Sequence, residues 1–152
     1  MIRRVAVIGA GTMGHGIAAV AAMSGYDVVI ADANEAALAQ AMRRIEATFD
    51  KAVERGKLEP GKRGAALARV RSGASASDTA ADADLIIEAI PERLELKQRL
   101  FRDLASSARA DTIFASNTSS LSISDIASAL SAPERVIGLH FFNPVPAMRL
   151  VE

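Results

Sequence analysis

Short apolar runs rich in valine and isoleucine alternate along this chain with longer stretches in which apolar positions recur every three or four residues. The runs Val5 to Ile8, Val28 to Ala31, Leu85 to Glu88, Thr112 to Ala115 and Val136 to His140 predict strands. Most are apolar at successive positions rather than alternating, as a parallel strand covered by helices on both faces requires. The pattern therefore predicts an α/β fold built on a doubly wound parallel sheet. Gly14 to Met23 predicts the first helix. Leu38, Met42, Ile45, Phe49 and Val53 fall at spacings of three and four and predict a second over 34–55. Gly56, Pro60 and Gly61 turn the chain, and another helix is expected over 63–70. Because the gap from Ala31 to Leu85 exceeds one crossover helix, residues 34–71 read as an inserted helical hairpin. Ser72 to Thr79 read as a polar return loop.

The length of 152 residues, half of them hydrophobic, suits one domain with one buried core. Aromatic residues are only 4%, so aliphatic side chains must fill that core. Basic and acidic residues balance at 18 each, which removes the positive field that nucleic acid or an anionic membrane would need, and neither is expected as a partner. There is no cysteine and there are two histidines, so disulfides and thiolate chemistry are excluded and a metal site is not expected. The arginines and apolar residues at the N-terminus superficially suggest a secretory leader, but glycines interrupt them. No stretch approaches the ~20 apolar residues of a membrane span. A cytoplasmic protein is expected.

Candidate chemistry begins at the end of the first strand. Gly9-Ala-Gly-Thr-Met-Gly14 stands between a predicted strand and a predicted helix. In that context Gly9 permits the turn, Gly11 lets backbone approach a pyrophosphate, and Gly14 lets helix and strand pack closely, with the helix N-terminus facing the phosphates. Asp32 follows 18 residues after Gly14, at the end of the second predicted strand, where a carboxylate accepts from ribose hydroxyls. Ala33 and Asn34 follow it, with no arginine for a 2′-phosphate, so NAD is favoured over NADP. His15, at the helix start, reads as a bystander.

In a doubly wound sheet ligands sit beyond the carboxyl ends of the strands. Here those ends are polar: Glu88 to Glu92, Ser116 to Ser120 and His140 to Pro144. Singly each is ordinary loop chemistry, and Ser119 or Ser122 also suits the cap of a helix starting near Ile123. Their shared location marks a site.

The segments GAGTMG, IIEAIPE, SNTSSLSI and GLHFFNPVPAMRLVE, spanning the whole chain, resemble the L-3-hydroxyacyl-CoA dehydrogenase family, which includes 3-hydroxybutyryl-CoA dehydrogenases. The resemblance implies a Rossmann-type NAD-binding domain over 1–152 and NAD-dependent oxidation of a 3-hydroxyacyl thioester, as in fatty-acid β-oxidation. It further implies that His140 is the catalytic histidine, Glu152 its carboxylate partner, and Ser119 the hydroxyl on the reacting oxygen. Asn117 falls near the nicotinamide ribose. Gly9, Gly11, Thr12, Met13, Gly14, Asp32, Glu92, Lys97 and Asn143 match cofactor or active-site positions. The arm over 34–71 is expected to contact coenzyme A, through Thr48 and Arg55 where the family has a serine and a lysine, with Ser119 also on the substrate side. A helical domain that completes the acyl pocket and forms the family's homodimer is expected to be absent here, leaving Glu152 at a frayed end and turnover poor.

The chemistry agrees independently. Oxidising a secondary alcohol needs a base for the hydroxyl proton while hydride leaves, and histidine suits that role near neutrality. A carboxylate on its second nitrogen fixes the tautomer and stabilises the imidazolium. Ser119 and Asn117 can hold the oxygen. Residues 35–71 carry nine basic and five acidic side chains, an excess that suits the phosphates of coenzyme A as well as it suits a solvated helix face. Two other readings stand beside this one: a noncatalytic dinucleotide-binding module, and a dehydrogenase of another 3-hydroxy acid such as a sugar acid. Flavin is a further, minor candidate for the nucleotide site.

Overall fold

Side chains along a strand point alternately to opposite faces, so the apolar runs feed two cores at once. Val5, Val7, Val28 and Ile30 enter one cluster, Ala6, Ile8, Ile86 and Phe114 the other. The computed structural model describes residues 1–152 and contains six parallel strands in the order β3-β2-β1-β4-β5-β6. They are β1 (Arg4–Ile8), β2 (Asp27–Ala31), β3 (Val70–Ser72), β4 (Leu85–Glu88), β5 (Ile113–Ser116) and β6 (Val136–Gly138). Helices α1 (Gly14–Met23) and α2 (Glu35–Glu54) pack against each other beside the first cluster, which takes in Ile17, Ile45 and Phe49. On the second cluster lie α5 (Leu94–Ala105) and α6 (Ile123–Ala127), where Phe101 meets Phe114 with ring centroids 5.4 Å apart.

The expected doubly wound sheet is present, and its local signals hold. Asn34 caps α2 by accepting from the Ala37 N–H at 3.0 Å. Gly56, at φ +66°, stops it: its N–H reaches Val53 O and that of Lys57 reaches Ala52 O, the paired bonds of a glycine C-cap. Ser122, rather than Ser119, caps α6.

Two elements differ from expectation. The return loop expected over 72–79 instead contains the end of β3 and most of α4 (Ala76–Ala81), capped by Ser75 accepting from the Asp78 N–H. The helix expected over 63–70 ends earlier, as α3 (Arg63–Ala68), because Val70 enters the sheet beside Val28. The hairpin of α2 and α3 thus serves as the crossover from β2 to β3. A three-residue edge strand with one buried apolar residue has no periodicity to read.

The register matters most for function. Ile8 pairs with Ala31 and Glu88, Glu88 with Ser116, and Ser116 with Gly138, so five strands end level and their following loops converge. Beyond β6, Phe141 forms an antiparallel bridge with Val151. His140 and Glu152 exchange backbone hydrogen bonds of 2.8 and 3.0 Å. The frayed end expected at Glu152 is instead tied to the histidine itself. No helix is long and apolar enough to cross a membrane.

Candidate active site

The glycine turn leaves β1 with Gly9 at φ +104°, a conformation that L side chains rarely adopt. A Cβ on Gly14 would sit 1.7 Å from Gly9 O, so helix and turn approach as closely as backbone allows. Around Gly11, by contrast, a Cβ would meet nothing within 4 Å. That open backbone beside the N-terminus of α1 fits the pyrophosphate of a dinucleotide. Thr12 and Met13 complete the turn. Asp32 closes the neighbouring strand end, its Oδ2 accepting from the Ala10 N–H at 2.7 Å and its Oδ1 from the Asn34 N–H at 2.8 Å. It therefore braces the turn, and the unused lone pairs of both oxygens remain for ribose hydroxyls.

A cleft of about 310 Å³ opens beyond the ends of β4, β5 and β6. It brings together Met13, Glu92, Lys97, Asn117, Ser119, His140 and Asn143. His140 Nδ1 lies 3.4 Å from Glu152 Oε2, and the ring tilts against Phe142 at a centroid distance of 4.6 Å. Asn117 Oδ1 accepts from the Phe141 N–H at 2.8 Å, which fixes the amide and leaves its NH₂ for the cleft. Ser119 donates its backbone N–H to Glu92 Oε1 at 3.1 Å.

Beneath this cleft lies a buried polar network that the sequence did not reveal. Lys97 is 1% exposed, and its ammonium meets Glu88 Oε1 at 2.6 Å, Glu92 Oε2 at 3.2 Å and Ile90 O at 3.3 Å. The ammonium is thus held among acidic and carbonyl acceptors at the edge of the cleft that Lys97 helps to line. Glu88 also accepts from the Ile90 N–H and, on Oε2, from the Ser116 hydroxyl at 2.6 Å. Burial would raise the Glu92 carboxyl, but hydrogen bonds from Thr118 and Lys97 outweigh it and hold the group down at about 2. A charged residue ending an otherwise apolar run was the one local signal of this network. Its partners lie nine and 28 residues away.

A separate groove of about 630 Å³ runs between α1, α2 and the segment 144–148. Thr48, Lys51, Arg55 and Lys57 line it together with His15, and no acidic side chain does. His15, expected to be a bystander, hydrogen-bonds Gly11 O through Nδ1 at 2.8 Å and so links groove and turn. Thr48 spends its hydroxyl hydrogen on Arg44 O. Elsewhere on the hairpin some basic side chains are paired, Arg63 with Glu46 and Asp50 and Lys62 with Glu59. Lys51, Arg55 and Lys57 have no carboxylate partner, so the groove wall carries unpaired positive charge.

The family model described as the 3-hydroxyacyl-CoA dehydrogenase NAD binding domain matches residues 4–152. The chain belongs to that family. Among its relatives, the 3-hydroxyadipyl-CoA dehydrogenase of Escherichia coli (strain K12) is 48% identical over 99% of this chain and 32% of its own length. The human mitochondrial hydroxyacyl-coenzyme A dehydrogenase is 43% identical over all of this chain and 50% of its own length. A crystal structure of 3-hydroxybutyryl-CoA dehydrogenase from Escherichia coli K12 superposes with a TM-score of 0.93 at 46% identity, covering 99% of this chain and 32% of that one. The chain therefore spans a third to a half of the length of these relatives, and corresponds to the family's NAD-binding domain. With mitochondrial members among its relatives, the family does not fix a compartment.

Proposed function

We propose that this chain is the cofactor-binding and catalytic-dyad portion of an enzyme that interconverts L-3-hydroxyacyl-CoA and 3-oxoacyl-CoA with NAD. The observation that carries this reading is that His140, paired with Glu152, lines the same cleft as Asn117 and Ser119. In the oxidative direction His140 removes the proton from the 3-hydroxyl. Glu152, on Nδ1, holds the ring so that its other nitrogen faces that proton, and stabilises the imidazolium that forms. Ser119 and the Asn117 amide hold the oxygen as it passes between alcohol and ketone. When bound, the oxidised cofactor supplies the hydride acceptor.

Gly9, Gly11, Thr12, Met13 and Gly14 would hold the pyrophosphate, Asp32 the adenosine ribose, and Glu92, Asn117 and Asn143 the nicotinamide end. Coenzyme A would lie along the groove, its phosphates met by Lys51, Arg55 and Lys57, with Thr48 and His15 adding hydrogen bonds. The absence of acidic side chains from that wall supports a polyanionic ligand and favours a CoA thioester over a free hydroxy acid.

Titration of this chain with NAD⁺, NADP⁺ and acetoacetyl-CoA tests the reading. NAD⁺ and acetoacetyl-CoA should both bind, with NADP⁺ about tenfold or more weaker because Asp32 repels a 2′-phosphate. Reduction of acetoacetyl-CoA by NADH should fall about 10²- to 10⁴-fold in His140→Gln, the usual range for a lost general acid–base, while NAD⁺ affinity stays within about twofold. Failure of acetoacetyl-CoA to bind, or a rate indifferent to His140, would overturn it.

A further inference from the structure

The charged side chains beneath the cleft do not balance. Lys97 lies between two carboxylates, 2.6 Å from Glu88 and 3.2 Å from Glu92, and the trio carries one negative charge in excess. Glu88 decides where that excess is felt. It is fully buried, takes the shorter bond to the ammonium, and is anchored by the Ser116 hydroxyl at 2.6 Å and the Ile90 N–H at 2.7 Å. Glu92 is 37% exposed and is left as the carboxylate that faces the cleft.

Retaining an unbalanced charge in a largely buried network is costly, and buried ion pairs are often replaceable by apolar side chains without loss of stability. A surplus negative charge under a ligand cleft is therefore suited to a cation above it. If His140 takes the hydroxyl proton as hydride departs, the nicotinamide end of the cofactor must enter this cleft, so the inference rests on the function proposed above. The oxidised ring is a cation and the reduced ring is neutral. We infer that Glu88 is a positioning residue which, by occupying Lys97, frees the charge of Glu92 to favour the oxidised over the reduced cofactor. Depression of the Glu92 carboxyl to about 2 keeps that charge in place across the neutral range.

Equilibrium titration of this chain with NAD⁺ and with NADH gives the ratio of the two dissociation constants, independent of turnover. In Glu88→Gln, Lys97 is left to neutralise Glu92, and NAD⁺ should weaken relative to NADH by about fivefold or more, as expected for one unit charge at side-chain distances and an intermediate effective dielectric. The double variant Glu88→Gln/Lys97→Met breaks more hydrogen bonds yet restores the single negative charge. Its ratio should return to within about twofold of wild type. Glu92→Gln makes the same charge change at a partly exposed position, should shift the ratio in the same direction, and carries the test if Glu88→Gln does not fold. An unmoved ratio in whichever single variant folds overturns the inference alone. So does a double variant that departs further from wild type than Glu88→Gln, because the network would then act through its hydrogen bonds rather than its charge. A wild-type chain that binds neither form of the cofactor overturns the proposed function and this inference together.

Discussion

Gly14 makes the most demanding approach in the nucleotide turn. A methyl group there would stand 1.7 Å from Gly9 O, and neither that oxygen nor the Cα bearing the methyl can move without displacing the turn or α1. Gly14→Ala is expected to lower stability by about 2–4 kcal/mol and to abolish measurable NAD binding, read by thermal melting and by titration. At Gly11 the space is open, so Gly11→Ala should fold normally and weaken only the cofactor. These roles are legible from sequence because all their determinants lie within six residues. His140 drew attention for a different reason, through the resemblance carried by GLHFFNPVPAMRLVE, with which its place at the end of a predicted strand as one of only two histidines agrees. The surroundings of Lys97 were not legible, since its acceptors are supplied by β4 and its following loop and only the folded chain brings them to the ammonium.

Helix α2 performs two tasks on adjoining faces. Ala41, Ile45, Phe49 and Ala52 are buried against the sheet side, while Thr48, Lys51 and Arg55 open on the groove. Phe49 is fully buried, and Phe49→Ala should cost about 3–5 kcal/mol, measured by denaturant unfolding. Charge reversal on the other face, Lys51→Glu with Arg55→Glu, should leave stability within about 0.5 kcal/mol and NAD affinity within about twofold. Acetoacetyl-CoA affinity should fall tenfold or more, by roughly 1 kcal/mol per lost phosphate contact. The apolar spacing revealed the helix, and the glycine after it revealed its stop. The strand and helix that follow, β3 and α4, stayed hidden because three and six residues are too few to show a period, and only pairing with β2 gives β3 its conformation.

Across the molecule, two carboxylates tie separate segments together and give the fold its acid sensitivity. Asp84, at the start of β4, accepts the backbone N–H groups of Arg4 and Arg3 at 2.9 and 2.8 Å and pairs with Arg109 at 3.0 Å. Those backbone bonds, then the Arg109 contact, hold its carboxyl at about 2 against the opposing effect of burial. Glu92 is held at a similar value. Each binds its proton more weakly folded than unfolded, so the stability it contributes is complete above about pH 4.5 and is lost as pH falls toward 2. The melting temperature should therefore be flat near neutrality and decline through that window. Asp84→Asn should flatten the decline and cost about 1–3 kcal/mol at neutral pH, the range for hydrogen bonds to a charged group.

What the sequence determined by itself is what short-range chemistry controls: the apolar runs that make parallel strands, the periodicity of α1 and α2, the glycine turn, and an imidazole beyond the last strand. Tertiary structure decided the rest. Level strand ends bring loops from distant parts of the chain to one cleft, antiparallel pairing seats Glu152 beside His140, and burial selects which charges meet each other and which remain for a ligand. The physical reason is range: propensity and turn chemistry act over a few residues, whereas burial, register and charge pairing join groups that only the completed sheet makes neighbours.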